Sequence, residues 1–323
     1  MTGDRRLRRG AEGMEQRAWG MEGGASHRNT GTTECFMNLT QGALILEGGG
    51  LRGIYTSGVL RFFMDEKIFF SYVIGVSMGA CNAANYVSLQ PERNRIVNTR
   101  YVNDRRYISY VRLLVRGELF GMKFIFETIP QSLVPFDFKT FMANEMKCIT
   151  GVTDCETGEA LYYEKQDLGA DYLKVLKASS SLPFIAKPVY YEGRTLMDGG
   201  LSDSVPIRKS MDDGYTKNVL VLTRPRGYRK KSPRFVRLAR LRYPRYKGLY
   251  EALANRNAKY NESMAFIDAL EKRKEIFVIR PRGALKVGRA ERNRDKLYAA
   301  YDQGYEDAAG CWAALRAYLG RGK

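Results

Sequence analysis

Histidine is almost missing from this sequence: the 323 residues contain one, His27. It precedes the first segment with any structural periodicity, so it reads as a solvated tail residue and not as a base. A Ser-His-Asp triad is thereby excluded. The five cysteines (Cys35, Cys81, Cys148, Cys155 and Cys311) are odd in number, widely spread and contain no C-x-x-C pair. With a single histidine beside them they do not suit a zinc site, and reduced thiols in a cytosolic protein are the plain reading. No apolar run approaches the roughly 18 to 20 residues that cross a bilayer. The N-terminal arginines are followed by no apolar core of a secretory signal. Acids are also in deficit, 35 against 53 lysines and arginines, which leaves a net charge of +18. Such a surplus favours an anionic partner, either nucleic acid or an acidic lipid surface. Hydrophobic residues at 44% and charged residues at 27% are those of a globular chain with a core to bury.

Residues 1–38 are rich in Gly, Arg, Glu and Ser/Thr without periodicity and are expected to be a disordered arm. Residues 39–323 are expected to form one domain. Ala43-Leu44-Ile45-Leu46 reads as a buried strand ending in Gly48-Gly49-Gly50, and Leu51–Lys67 follows with apolar residues at helical spacing. Tyr72–Val76 repeats the strand, and Met78–Leu89 is an Ala-rich helix. Strand, helix, strand, helix predicts a right-handed βαβ unit in a three-layer α/β/α core with a mostly parallel central sheet. Further strands are expected at 146–154, 160–164, 188–191, 194–197, 219–222 and 276–279. A basic helical insertion spans about 224–273, and a helical tail about 284–323.

Three motifs carry chemistry. Gly48-Gly49-Gly50-Leu51-Arg52-Gly53 joins a strand to a helix and satisfies G-x-G-x-x-G. A dinucleotide fold would want an acidic residue at the end of the second strand, which ends instead in Gly75-Val76-Ser77-Met78-Gly79. What remains is a run of backbone N–H groups at a helix N-terminus, able to bind an anion or a transition-state oxyanion, or else a plain tight turn. Gly75-x-Ser77-x-Gly79, between strand and helix, is the setting of a nucleophile elbow. With no histidine available, the base for Ser77 must be a carboxylate, a lysine or nothing. Asp198-Gly199-Gly200, at the end of a predicted hairpin strand, offers a carboxylate, although a D-G step alone is a common turn.

Taken together, the glycine-rich turn, the elbow about 25 residues later and the distal D-G-G resemble the patatin-like phospholipases, here over roughly residues 42–223. Ala178-Ser179-Ser180-Ser181-Leu182-Pro183 and Asp198–Pro206 add to the likeness, with Ser204 where many relatives carry Asn. The resemblance implies a lipid acyl hydrolase with Ser77 as nucleophile and Asp198 as general base. It implies an oxyanion hole from the 48–53 turn (Gly48, Gly49, Gly50, Leu51, Arg52, Gly53) with the Met78 N–H. Gly75, Gly79, Gly199 and Gly200 are the elbow and turn glycines, and Arg52 fixes the loop or biases its field. No cofactor and no metal are implied.

Eleven lysines and arginines lie between Arg224 and Lys247, with no acid before Glu251 and with Tyr228, Phe235, Leu238, Leu241, Tyr243 and Tyr246 interleaved. That suits anionic phospholipid better than nucleic acid beside a lipase-like site. A peripheral place on the inner face of the membrane, in an otherwise cytoplasmic protein, is the expected location. The aromatic stretch 107–141 reads as core helices packed on the sheet or, more sharply, as a lid or acyl-chain groove. A soluble thioesterase or small-ester hydrolase with the same dyad, and a non-catalytic binder on a hydrolase fold, are the alternatives.

Overall fold

The computed structural model describes residues 38–231 and 236–320. The expected disordered arm with His27, and Arg234 and Phe235 of the basic stretch, lie outside the described residues. Eight strands form one sheet: β1 (Thr40–Leu46), β2 (Phe70–Val76), β3 (Lys147–Asp154), β4 (Ala160–Glu164), β5 (Val189–Tyr191), β6 (Arg194–Asp198), β7 (Asn218–Val221) and β8 (Ile276–Ile279). β3, β2, β1, β7 and β8 run parallel in that order, while β4 and β6 pair antiparallel with β3, and β5 with β6. Each strand falls, to within three residues, where the sequence predicts it.

The helices that frame the site are α1 (Ile54–Asp65), α2 (Met78–Val87), α3 (Tyr110–Arg116), α4 (Tyr172–Ser179), α5 (Val236–Arg242), α6 (Lys247–Lys272), α7 (Arg294–Gly310) and α8 (Trp312–Gly320). Alternate residues of a strand face opposite sides of a sheet. Ala43, Ile45, Tyr72, Ile74 and Leu220 therefore share one face, where they pack on Tyr260, Met264, Ile267 and Leu270 of α6. Leu44, Leu46 and Val73 are just as fully buried on the other face. This makes three layers, α/β/α, with apolar residues on both faces of the central strands because both are covered.

The basic stretch is not an appendage. Its helical half, α6, is the crossover that joins β7 to the parallel β8, and its apolar stripe is core. The cations before it are divided by the same packing. Arg226 pairs with Glu271, Arg229 with Asp268, and Lys230 turns inward over the Tyr260 ring, 3.6 Å from its centre. Arg240, Arg242, Arg245 and Lys247 face solvent. The single basic face expected from the sequence is thus two regions with different surroundings.

The tail is two helices broken at Cys311, and α7 lies against α1 at backbone contact. A methyl group at Gly58 would fall 1.9 Å from the Tyr301 carbonyl oxygen, and one at Gly304 2.0 Å from that of Tyr55. Around this crossing Tyr55 donates to Asp307 (2.9 Å), and Phe62 meets Tyr305 and Trp312 edge to face. Only glycine permits so close an approach. Gly304→Ala is expected to destabilise the protein by about 1–3 kcal/mol, as overpacking does elsewhere, read as a lowered urea midpoint at unchanged slope. A neutral result would mean that α7 does not hold this crossing.

Candidate active site

The position of the two candidate residues follows from strand register. β4 occupies one edge of β3 from Ile149 to Thr153, so β2 and β6 must share the other edge. β2 runs along it until Val76 lies opposite Gly151, and β6 arrives from the opposite direction until Asp198 lies opposite Val152. The two strands meet end to end, and the residues at the junction are Ser77 and Asp198. A methyl group at Gly199 would fall 2.3 Å from the Gly151 carbonyl oxygen and 3.0 Å from a Val76 methyl, which measures how closely the ends abut.

Ser77 leaves β2 with φ 55° and ψ −127°, a conformation that L side chains rarely adopt, and α2 starts at the next residue. Glycines two residues to either side make the turn possible: a methyl at Gly75 would come within 2.5 Å of the Gly79 carbonyl carbon, and one at Gly79 within 2.3 Å of the Leu46 oxygen. The elbow is tied down by Ser179 at the end of α4. Its hydroxyl accepts from the Ser77 N–H (2.8 Å) and donates to the Gly151 carbonyl (2.7 Å). Two residues on, the Ser181 carbonyl accepts from the Asp198 N–H (2.9 Å), so one segment positions both partners. Thr153 completes the support by donating to the Asp198 carbonyl (2.8 Å).

The Asp198 carboxyl is buried. Oδ1 accepts from the Gly200 N–H (2.9 Å), while Oδ2 has no partner in hydrogen-bonding geometry. Burial raises its pKa above the usual aspartate value, against the opposing pull of Arg256, the nearby Ser77 hydroxyl, the Gly200 N–H and Arg289. An unsatisfied buried carboxylate oxygen next to a strained hydroxyl is a group poised to take a proton.

The Gly48–Gly50 turn closes over the same spot. It lines a small cavity with Ser77 and Asp198, and a methyl at Gly48 would lie 3.1 Å from Ser77 Cβ. Among the expected oxyanion donors, the Leu51 N–H is already committed to the Arg289 carbonyl (3.1 Å), so it is not free for an oxyanion in this conformation. Arg52 is buried with its Nε unpartnered, and its guanidinium is pushed down to about 10 by burial and by Arg224 and Arg289. On the other side Ser77, Met78 and Cys81 open onto an apolar groove walled by Phe120, Phe126, Ile129 and Phe136. The aromatic stretch 107–141 is therefore both core and groove wall, because Tyr107, Phe124 and Ile129 also belong to a buried cluster.

A family model for patatin-like phospholipases matches residues 44–210, the span that holds the elbow, the D-G-G and both strand ends. The chain belongs to the patatin-like phospholipase family. At the family level it is a lipid acyl hydrolase, on the α/β/α fold described above. A second model, a domain of unknown function (DUF6363), matches residues 246–320. The patatin-like chain is 27% identical over 253 residues to the uncharacterized protein YjjU of Escherichia coli, covering 74% of this chain and 68% of that one. It is 25% identical over 169 residues to lysophospholipase nte1 of Aspergillus terreus, covering 51% of this chain and 10% of the relative. Among solved structures, VipD from Legionella pneumophila aligns over 85% of this chain and 67% of its own at 12% identity, with a TM-score of 0.47.

Sequence reasoning on this patatin-like chain missed Ser179 as the elbow's tether, although its segment was noticed. It also missed Arg256 and Arg289, which line the cavity from beyond the basic run and carry no local signal. The strain at position 77 has a measurable sign. Ser77→Ala keeps the unfavourable backbone, whereas Ser77→Gly relieves it, so the glycine variant is expected to be the more stable by about 1 kcal/mol. Equal or reversed midpoints in urea would mean that the elbow stores no strain.

Proposed function

We propose that this protein is a serine acyl hydrolase of lipid esters that works through a Ser77–Asp198 dyad. The observation that supports it is that Ser77 stands in the wall between two cavities, one polar and containing Asp198, the other an apolar groove suited to an acyl chain. In this reading Ser77 Oγ attacks the ester carbonyl while Asp198 accepts its proton. The negative charge on the carbonyl oxygen is met by free N–H groups of the Gly48–Gly53 turn and by Met78 N–H, in the field of Arg52. Asp198 then returns the proton to the departing alcohol, leaving an acyl-Ser77, and next activates the water that releases the fatty acid. An unburied aspartate, with a pKa of ~3.9, is a weak base for serine, so the raised pKa of Asp198 serves the step directly.

Labelling with a fluorophosphonate, followed by intact mass, tests the dyad. Wild type is expected to gain one adduct, Ser77→Ala none, and Asp198→Asn to react at least 10²-fold more slowly, the scale set by losing one element of such a site. Labelling should also fall as pH drops through the Asp198 pKa, because the protonated carboxyl cannot accept from Ser77. That limb lies above the ordinary aspartate range and is absent from Asp198→Asn. The sign for stability is the reverse: a raised carboxyl pKa favours the protonated native state, so this group's contribution weakens as pH rises through the same window. An adduct that persists in Ser77→Ala would sink the assignment.

Docking on anionic membrane belongs to the same proposal. Val111, Leu114 and Val115 of α3 are 72–87% exposed, and Leu241 of α5 is 78% exposed. The two helices are neighbours, since Gly117 at the end of α3 faces the Arg242 guanidinium. Arg116 at the end of α3, Arg240 and Arg242 in α5 and Arg245 just beyond it are exposed as well. Apolar residues that enter the headgroup layer beside exposed cations suit an anionic interface, each cation adding about 1 kcal/mol. Leu114→Asp with Leu241→Asp is expected to weaken binding to phosphatidylglycerol-containing vesicles at least tenfold in a flotation assay. Unchanged binding would discard this face, and hydrolysis that gains nothing from vesicles would favour a small-ester or thioester substrate.

A further inference from the structure

The polar cavity beside Ser77 holds more positive charge than the dyad requires. Arg52, Arg224, Lys230, Arg256 and Arg289 line it against two carboxylates, Glu47 and Asp198, so that among the described residues five cations face two anions and three positive charges are uncompensated. Glu47 is already engaged by Thr223 N–H (2.5 Å), Thr223 Oγ1 (3.0 Å) and the Tyr260 hydroxyl (3.1 Å). Elsewhere the protein treats a buried arginine differently: Arg280, 9% exposed, pairs with both Asp268 and Glu271. None of the five makes an ion pair among the described residues. Arg52, 6% exposed, leaves its Nε buried and unpartnered, and the Arg256 Nε has only the Gly200 carbonyl (2.8 Å).

Arg52 is buried, Arg224, Lys230 and Arg256 are half-buried and Arg289 is exposed at the rim; gathering unpaired cations where water is partly excluded is costly unless something anionic completes them. The cost is visible in the cluster itself. Burial first, with mutual repulsion added, pushes Arg52 and Arg256 down to about 10 and Lys230 down to about 6. With Lys230 neutral the excess near neutral pH is two positive charges, and an arriving dianion would protonate it. The cations come from four separate places in the chain: the glycine-rich turn, the segment after β7, the crossover helix α6, and Arg289 before α7. The last two lie in residues 246–320, to which the domain of unknown function corresponds.

We infer that this cluster is a subsite for a phosphomonoester dianion, held by the five cations a short reach from Ser77. Its lipid source, which rests on the acyl-hydrolase reading above, is a glycerolipid whose headgroup is a bare phosphate. The geometry suits one molecule across both cavities: the acyl chain in the apolar groove, the ester carbonyl at Ser77, and the phosphate, a few bonds along the glycerol, among the arginines. A choline or ethanolamine headgroup would instead bring a cation toward this cluster. The part of the chain beyond the hydrolase segment thereby acquires a role, because it supplies Arg256 and Arg289 to the site.

Two measurements test the inference. Calorimetric titration of Ser77→Ala with inorganic phosphate should give one site, weakened on the order of tenfold by Arg224→Gln and again by Lys230→Gln, and restored in part by Arg224→Lys. Separately, dioctanoyl phosphatidic acid, phosphatidylglycerol and phosphatidylcholine are compared as minor components of neutral detergent micelles. The monoester is expected to have a kcat/KM at least tenfold above the other two, expressed mainly in KM and compressed in Arg224→Gln. The anionic diester controls for surface charge. Phosphate binding without headgroup preference keeps the subsite and assigns it to free phosphate or a soluble phosphomonoester. Hydrolysis with neither phosphate binding nor preference overturns the subsite and leaves the hydrolase reading standing. Phosphate binding in a protein that takes no fluorophosphonate does the reverse.

Discussion

Two strands ending against each other on one edge of β3 set the position of everything else in this protein. Val76 opposite Gly151 and Asp198 opposite Val152 are adjacent rungs, so β2 and β6 deliver Ser77 and Asp198 to the same point from opposite directions. Hydrogen-bond register, unlike a loop, leaves little freedom: a one-residue slip in either strand would turn its side chains to the other face. The neighbouring groups follow the junction. Ser179 and Ser181 bridge the two strand ends, Thr153 holds the Asp198 carbonyl, and the Gly48–Gly50 turn at the end of β1 closes from the side.

That rigidity has an energetic counterpart. The elbow holds Ser77 at positive φ, and the carboxyl beside it is buried with one oxygen unpaired. Each costs on the order of 1–3 kcal/mol in a chain whose total stability is only a few times larger. The compensation lies in the sheet, with apolar residues buried on both faces, and in the α1–α7 crossing, where two glycines let the backbones touch. Stability collected far from the site thus holds in place a strained hydroxyl and a reluctant carboxylate, the two properties that the proposed Ser77–Asp198 dyad calls for.

The electrostatics of the molecule divide in the same way. Solvated cations around α5 sit beside exposed leucines and a valine-rich turn of helix, where their charge is screened and cheap. Around Glu47, Arg52 is buried and Arg224, Lys230 and Arg256 are half-buried, and burial first, with mutual repulsion added, depresses the proton affinity of Arg52 and Lys230. Net charge alone does not distinguish these two populations. Their surroundings do: the first group is hydrated at the surface, and the second gathers around the polar cavity beside Ser77.

Much of this was legible in the residues. Apolar runs of four or five located β1, β2, β7 and β8, since buried strands in a covered sheet have few polar positions to break the pattern, and the turns at Thr157-Gly158 and Glu192-Gly193 marked the strands on either side of them. The scarcity of histidine left a carboxylate, a lysine or no base for Ser77, and the family likeness carried by G-x-S-x-G and D-G-G pointed to Asp198; those motifs are local because tight turns demand glycine at fixed offsets. Arg256 and Arg289 were not legible: each is one arginine among many in a basic chain, and only the packing of α6 against the sheet and the close pass of residue 289 over the Gly50 turn bring them to Ser77. The basic run from 224 to 247 misled for the same reason, because a linear string of charges does not say which way each side chain points. The sequence by itself determined the strands, the elbow and the family likeness, all of which depend on neighbours in the chain. Tertiary structure alone decided which cations are paired, exposed or gathered around the dyad, since charge acts through space and its strength depends on how much water the fold excludes.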